Sequence, residues 1–162
     1  MARKRKKVSK IPVLIFIILV LFSFISLAVM NLIDFSKYVV ADFLRVSDNT
    51  IIVGKNCTAI IAETSSERAQ SIESGMRGVI EERPNTHDTF VAVLKSFNIT
   101  LESVQIESFN GIYYFSNLIL RYGDKISKID TKPSDAIALA VRTNATIYIN
   151  KTLLQEVGKN IC

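Results

Sequence analysis

The chain has 162 residues, 49% of them hydrophobic, which is enough for one domain with a buried core and one further segment. Its formal net charge is +5, but six positive charges lie in the first ten residues, leaving 14 Lys and Arg against 15 Asp and Glu in residues 11–162. This balance argues against a protein that grips a nucleic-acid backbone over a long basic surface, because phosphate neutralisation needs a surplus of positive charge.

An uncharged segment from Ile11 to Ile33 follows the basic tail at residues 1–10. At about 1.5 Å per residue, a helix of this length exceeds a hydrocarbon layer of roughly 30 Å. A cleaved signal peptide is the competing interpretation, because RKRKK resembles the start of such a peptide and SLA resembles a cleavage site. The apolar part of a signal peptide is usually only about 7 to 15 residues long. The sequence therefore predicts a single-pass transmembrane anchor at 11–33 that contacts membrane lipid.

The charges on either side of this span predict its orientation. Six Lys and Arg precede the span, whereas the flank after it mixes Lys37 and Arg45 with Asp34 and Asp42. Positively charged flanks tend to stay in the cytoplasm. We therefore expect a cytoplasmic N-terminus and a domain at 34–162 that lies outside the cytoplasm.

Sequons and cysteines bear on the same compartment. Four N-x-T sequons would accept glycans only outside the cytoplasm, but chance explains them equally well in a chain with ten Asn. The sequons begin at Asn56, Asn98, Asn144 and Asn150. Cys57 and Cys162 lack metal-ligand spacing and could form one bridge in an oxidising compartment, but two separate thiols are the preferred interpretation.

Turn residues divide the chain after residue 37 into strands and helices. Runs rich in β-branched residues predict three strands, at 38–46, 50–54 and 59–63. Apolar residues spaced three to four apart then predict one helix that ends near Gly78 and another that begins after Pro84. The predicted buried stripe of the second helix consists of Phe90, Val91, Leu94 and Phe97.

The second half of the domain is predicted to start with a hairpin. Segments 99–109 and 111–123 alternate between apolar and polar residues and meet at Asn110-Gly111, a strong turn signal. The remaining predicted elements are a strand at 125–130, a helix from Pro133, a strand at 146–149 and a helix at about 151–157. The whole pattern predicts an α+β fold, with a mixed, largely antiparallel sheet and packed helices, preceded by the transmembrane helix.

Two acid-bearing corners, RPNTHD at 83–88 and IDTKPSDAIALAVRTNATIYI at 129–149, resemble the bifunctional nuclease domain family. The resemblance covers roughly residues 38–158, and the second motif is long and specific. It implies an α+β domain that hydrolyses phosphodiester bonds, with DNA and RNA as the implied partners.

The resemblance also implies a site at the two corners. The expected catalytic residues are His87, Asp88 and Asp135. The expected ligands of a divalent cofactor, Mg²⁺ or Mn²⁺, are Asp88, Asp130 and Asp135. Carboxylates are hard oxygen ligands for such ions, which commonly assist phosphodiester hydrolysis. The expected substrate-binding residues are Arg83, Ser134 and Arg142.

Departures from the family pattern leave an alternative open. Arg68 stands where members have a Glu, and Lys132 stands where many have an Arg. If that Glu is a ligand or a base, this chain lacks its chemistry. Asp88 and Asp135 lie in first helical turns, where carboxylates also act as caps, so a structural latch between the corners would give the same motifs. The alternative to a nuclease is thus a non-catalytic, anchored interaction or ligand-binding domain, with a homo-oligomer among its possible partners.

Overall fold

The computed structural model describes residues 35–162. The predicted basic tail at 1–10 and transmembrane segment at 11–33 lie outside these residues, so the anchor stays a prediction. No helix between residues 35 and 162 is long and apolar enough to cross a membrane.

Nine strands and four helices make up the described part of the chain, after a short 3-10 turn at Phe35–Lys37. In chain order they are β1 (Tyr38–Val40), β2 (Phe43–Ser47), β3 (Thr50–Lys55), β4 (Thr58–Glu63), α1 (Ser66–Met76), α2 (Thr86–Ser96), β5 (Thr100–Phe109), β6 (Tyr114–Tyr122), β7 (Lys125–Thr131), α3 (Pro133–Thr143), β8 (Thr146–Asn150), α4 (Lys151–Val157) and β9 (Lys159–Asn160).

The strands form two sheets. The five-stranded sheet has the order β1-β8-β5-β6-β7 and the four-stranded sheet the order β2-β3-β4-β9. Strands β5 and β8 pair in parallel, and every other pair among the described strands is antiparallel. The predicted α+β fold with a mixed, largely antiparallel sheet is therefore confirmed, although the strands divide between two sheets.

The predicted strand at 38–46 is wrong as a single strand. It separates into β1 and β2, which belong to different sheets. The change occurs at two residues: the Ala41 N–H donates to the Ile147 carbonyl of the first sheet, and the Asp42 N–H donates to the Gly54 carbonyl of the second. The backbone thus satisfies its hydrogen bonds while it crosses from one sheet to the other.

Helix α3 lies against both parts of the hydrophobic core. Its residues 136–140 are all buried. Ile137 packs in a cluster with Ile51, Ile72 and Ile149, whereas Leu139 packs in a second cluster with residues of α2, β5 and β6. A helix that is apolar around most of its circumference must be covered on several sides. This burial places its two ends, which carry the predicted site residues, in fixed positions.

The core uses only part of the predicted apolar stripe of α2. Val91 and Leu94 are buried, as predicted, but Phe90 and Phe97 are exposed. Helix α2 packs on one side of the domain, against α3 and β5. A narrow contact of this kind covers two positions of the stripe and leaves the flanking rings in solvent.

Cys57 and Cys162 form a disulfide bond, with their Cα atoms 5.2 Å apart. The expectation of two separate thiols is therefore wrong. Strand β9 pairs with β4, and the Ile161 N–H donates to the Cys57 carbonyl, so tertiary pairing brings the last residue beside the β3–β4 turn. The bond spans a sequence separation of 105 residues.

We expect reduction of this bond to destabilise the domain. A loop of this length restricts the unfolded chain, and loss of a native disulfide typically costs about 2 to 5 kcal/mol. The measurement is urea unfolding of the full chain in detergent, with and without reductant. The Cys57→Ser/Cys162→Ser variant serves as the control and should unfold at one midpoint in both buffers. An unchanged midpoint for the reduced wild type would contradict the prediction.

Candidate active site

The candidate site lies where three helices meet, and the cap of α2 builds its first part. The Asn85 side-chain oxygen accepts hydrogen bonds from the backbone N–H groups of His87 and Asp88, at 2.9 and 3.1 Å. In return, Asp88 Oδ2 accepts from the Asn85 N–H at 3.0 Å. This reciprocal capping box fixes the first turn of α2 and the directions in which His87 and Asp88 point.

A buried ion pair joins the first turn of α2 to the last turn of α3. Arg142 Nε donates to Asp88 Oδ1 at 2.6 Å, and the two side chains are only 6% and 7% exposed. Arg142 also donates to the carbonyls of Ser71 and Ala138, at 2.8 and 2.9 Å, and to the Ser71 hydroxyl oxygen at 3.1 Å. We call this arrangement of Asp88, Arg142 and Ser71 the latch, because it connects α1, α2 and α3.

The charge of the latch is stabilised in the folded state. Burial by itself would raise the pKa of the Asp88 carboxyl, but the hydrogen bonds from Arg142 and from the Asn85 backbone, together with the Arg142 charge, hold that pKa below its ordinary value. Both Asp88 oxygens are engaged, one by Arg142 and one by the capping box. Asp88 therefore acts in the latch and offers no open oxygen to a ligand.

His87 lies between the latch and solvent, and hydrogen bonding orients its ring. Its Nδ1 is 2.9 Å from Ser71 Oγ, and its Nε2 is 3.4 Å from Asp135 Oδ1. An ionised carboxylate only accepts hydrogen bonds, so we assign the ring hydrogen to Nε2. Nδ1 then accepts the Ser71 hydroxyl hydrogen, while Ser71 Oγ accepts from Arg142. The contacts thus run in one direction from the latch to Asp135.

The imidazole of His87 is held neutral near pH 7. Burial lowers the pKa of His87, and the positive charge of Arg142 acts in the same direction. The negative charges of Asp135 and Asp88 oppose this shift, but the pKa stays below its ordinary value of 6.5. A neutral ring with a hydrogen on Nε2 is a hydrogen-bond donor toward the cleft.

At its solvent-exposed end, this series of contacts finishes in an ion pair between Asp135 and Arg68. Arg68 Nε donates to Asp135 Oδ1 at 3.1 Å, the same oxygen that faces His87. The side chains of Arg68 and Asp135 are 36% and 30% exposed, against 15% for His87. Asp135 lies in the first turn of α3, which begins with Pro133. The first turns of α2 and α3, each from one predicted corner, therefore meet beside α1.

An open, polar cleft of about 440 Å³ lies over these residues. Five of its lining residues carry the contacts described above: Arg68, Ser71, Asn85, His87 and Asp135. The others are Ser65, Glu67, Gln70, Glu81 and Thr86. Of the predicted catalytic residues, His87 and Asp135 line the cleft, and Asp88 lies behind them in the latch.

Two other predicted residues line a different cavity. Asp130 and Ser134 face a space of about 550 Å³ whose walls are mainly apolar and come from both sheets and α3. Asp130 is the next-to-last residue of β7, just before α3, and it is not among the residues that line the cleft. Arg68 lines both the cleft and this second cavity.

The predicted metal ligands are not brought together. Between residues 35 and 162, no group of three or more His, Cys, Asp or Glu side chains is placed to hold a metal ion. Asp88 is engaged in the latch, Asp130 lines the second cavity, and only Asp135 lines the cleft. The described donor set therefore does not fit the expected Mg²⁺ or Mn²⁺, and the cofactor stays a prediction.

The predicted substrate-binding arginines also occupy unexpected positions. Arg142 is buried, donates its described hydrogen bonds to Asp88, Ser71 and Ala138, and is not among the residues that line the cleft. Arg83 is exposed in the connection between α1 and α2 and lines neither cavity. The cation that reaches the cleft is Arg68.

The sequence analysis assigned no role to Ser71 and Gly75, and it treated Arg68 only as a difference from the family pattern. Arg68 and Ser71 are three residues apart on α1 and share a face, and this spacing could have indicated that they belong to one site. A Cβ atom at Gly75 would lie 2.6 Å from Arg142 Nη1 and 2.6 Å from Val141 Cγ2. Glycine at this position therefore lets α1 approach α3 closely enough to form the latch.

The chain belongs to a known domain family. The bifunctional nuclease domain family matches residues 53–161, which include every residue of the latch and the cleft, and the chain belongs to this family. Uncharacterized proteins from two strains of Mycobacterium tuberculosis are each 29% identical to it over 90 residues, which is 56% of this chain and 53% of the relative. The chain thus spans about half the length of the curated relatives it matches. The predicted family is confirmed.

We expect removal of the Arg142 side chain to lower the free energy of unfolding of the domain. Arg142→Ala leaves a buried carboxylate without its partner, and breaking such a pair costs about 3 to 5 kcal/mol. The matched control is Arg121→Ala, which removes the exposed ion pair with Glu102, at 2.7 Å, and should cost about 0 to 1 kcal/mol. The measurement is the free energy of unfolding in urea at pH 7.

The same comparison at low pH tests the pKa of Asp88. Because that pKa is lowered in the folded state, its stabilisation is present above the unfolded pKa of about 3.9 and is lost as the pH falls through the folded value. The difference between wild type and Arg142→Ala should therefore narrow below about pH 4. Equal costs for the Arg142 and Arg121 variants at pH 7 would contradict the latch.

Proposed function

We propose that this chain is a membrane-anchored nuclease that hydrolyses phosphodiester bonds of DNA or RNA in the cleft. Membership of the bifunctional nuclease domain family supports a nuclease-like domain. The observation that carries the proposal is the contact of neutral His87 and cationic Arg68 with one oxygen of Asp135 at an open cleft. Two hydrogen-bond donors and one carboxylate thus converge where a phosphodiester can enter.

In this proposal, Asp135 accepts the proton of the attacking water. His87 and Arg68 both contact Oδ1, so we assign the proton to Oδ2. The oxygen of the water bonds to phosphorus, the ester P–O bond breaks, and the leaving oxygen takes a proton from solvent. Arg68, which has further N–H groups besides the one that donates to Asp135, stabilises the negative charge on the phosphoryl oxygens as it increases, while the Nε2 hydrogen of His87 orients the Asp135 carboxylate.

Ser71 and the latch support this chemistry by positioning His87. The Ser71 hydroxyl keeps the ring hydrogen on Nε2, and Arg142 holds Ser71 in place. Positioning of this kind commonly maintains the reactive form of a histidine. Asp135 is the one predicted ligand in the cleft, so no step is assigned to Mg²⁺ or Mn²⁺.

We expect Asp135→Asn to lower kcat/KM by about 10² to 10⁴, the usual contribution of a positioned acid or base. The assay uses the full chain in detergent with labelled single-stranded and duplex DNA and RNA. Glu156→Gln, an exposed acid on α4 distant in sequence from the site, is the matched control and should keep wild-type activity. Cleavage that is equal in wild type and Asp135→Asn would refute the assignment.

The same assay tests the state of His87 and the metal. Protonation of His87 adds a hydrogen to Nδ1, which then no longer accepts from the Ser71 hydroxyl, so the ring loses the contact that orients it. Because the pKa of His87 is lowered, activity should fall as the pH decreases, with a midpoint below pH 6.5. Mg²⁺, Mn²⁺ and chelator form further arms. Activity that is lost with chelator and also with Asp130→Asn would favour the predicted carboxylate metal site over the mechanism given above.

The second cavity favours one alternative function, a non-catalytic ligand-binding domain. Its walls are mainly apolar, and two cations, Arg68 and Lys132, line it together with two acids, Glu63 and Asp130. Such a space suits an amphipathic ligand, because apolar walls bind the body of a ligand and a few polar groups orient it. Absence of cleavage on every substrate, with and without metal, would favour this alternative.

We further propose that residues 11–33 anchor the protein with the N-terminus in the cytoplasm and the domain outside it. The disulfide between Cys57 and Cys162 supports this placement, because such bonds persist in oxidising compartments. The basic tail supports the same orientation and can bind anionic lipid.

A thiol-labelling experiment tests this orientation. Cys57→Ser frees Cys162, which is exposed and should react with a membrane-impermeant maleimide in intact cells. The matched control carries Ala2→Cys in a chain without Cys57 and Cys162, and it should react only after lysis. Labelling of Cys162 that also requires lysis would contradict the proposed placement.

A further inference from the structure

Strand β7 forms one edge of the five-stranded sheet and pairs only with β6 in the described part of the chain. The pairing is regular along its whole length, from Ser116↔Thr131 to Tyr122↔Lys125, without a bulge. Residues 125–130 are all exposed. The outer side of β7 therefore offers seven residues of extended backbone that can accept another strand.

This edge lacks two of the features that usually prevent strand addition, proline and bulges, although it carries Lys125, Lys128 and Asp130. Proteins commonly protect edges with proline, bulges or charged side chains. β7 has no proline, and Ile126 and Ile129 are 47% and 45% exposed. Of its lysines, Lys128 contacts Glu107 at 2.6 Å, which offsets its charge. The edge is thus long, regular and partly apolar.

The sequence of β7 complements itself in one antiparallel register. When two copies of a strand pair antiparallel about a two-fold axis, the axis lies midway between one residue and the same residue of the other copy. Side chains directly opposite each other then lie on the same face of the sheet. An axis at Lys128 would place two lysines opposite each other. An axis at Ser127 would oppose Asp124 and Asp130. An axis at Ile129 instead pairs Ile129 with itself.

The register through Ile129 also satisfies the charges on both sides of the axis. Lys128 of each copy then faces Asp130 of the other, and Ser127 faces Thr131, so residues 127–131 all pair within β7. An axis at Ile126 would pair only residues 125–127 within the strand. The register through Ile129 is thus the one with an apolar centre, opposite charges beside it and several paired residues.

We propose that β7 pairs antiparallel with β7 of a second copy of this chain, with the two-fold axis at Ile129. The two five-stranded sheets then join into one continuous sheet. Asp130 and Thr131 line the second cavity, so the interface adjoins that cavity and lies on β7 and not at the helical cleft. The proposal is independent of nuclease activity.

A cysteine at the axis tests the register directly. In the full chain in detergent, Ile129→Cys should form a covalent dimer on mild oxidation, because side chains directly opposite each other have Cβ atoms about 4.5 to 5.5 Å apart. Ile126→Cys is the matched control, since it lies on the same strand at similar exposure but away from its own copy in this register. Equal cross-linking of the two variants, or cross-linking of the Ile126→Cys variant alone, would overturn the proposal.

A charge exchange provides a second, independent measurement. Asp130→Lys places lysines opposite each other and should weaken dimerisation at least about tenfold, measured by sedimentation of the full chain in detergent. The double variant Lys128→Asp/Asp130→Lys restores opposite charges and should recover the wild-type mass. Retained melting temperature would show that the variants fold. A dimer that ignores both changes, or a wild type that stays monomeric at all concentrations, would overturn the proposal.

Discussion

The buried pair between Arg142 and Asp88 is the interaction on which the site depends. The side chains of Arg142 and Asp88 are only 6% and 7% exposed, and further hydrogen bonds stabilise both buried charges. Asp88 accepts from the Asn85 N–H in the cap of α2, and Arg142 donates to the carbonyls of Ser71 and Ala138. The pair holds the C-terminal turn of α3 against the N-terminal turn of α2. Both predicted corners are therefore locked in one relative position before any ligand arrives.

The latch and the candidate cleft are consecutive parts of one hydrogen-bonded arrangement. Ser71 contacts Arg142 on one side and His87 on the other, so the buried charge pair orients the imidazole at the surface. Burial lowers the pKa of His87, and the Arg142 charge acts in the same direction, whereas the hydrogen bond and charge of Arg142 hold the pKa of Asp88 low against the effect of its burial. Asp135 lies at the solvent-exposed end of this arrangement, where it contacts His87 and Arg68.

Arg68 changes the chemistry that this cleft supports. The family resemblance implies a Glu at this position, which would have added a second acid near Asp135. The guanidinium of Arg68 instead neutralises Asp135 and adds a donor that can contact a phosphate. Glu67 and Glu81 line the cleft beside Asp135, so Arg68 supplies the positive charge among the described residues that line it, and Asp130 lies in the second cavity.

The sequence by itself determined the features that depend on neighbours a few residues away. Apolar spacing predicted α1 and α2, the Asn110-Gly111 turn signal predicted the connection between β5 and β6, and RPNTHD and PSD located two helix starts at Asn85 and Pro133. Caps and turns can be predicted in this way because their hydrogen bonds lie within one turn of the chain.

Only the tertiary structure decided which distant surfaces meet. It divided residues 38–46 between two sheets and brought Cys57 and Cys162 together through the pairing of β9 with β4. It also placed Asp130 and Asp135 in the walls of different cavities, although the two are close in sequence. It also brought Arg68 to the cleft. These outcomes depend on packing between segments far apart in the chain, and no local spacing of residue types records which faces will be buried together.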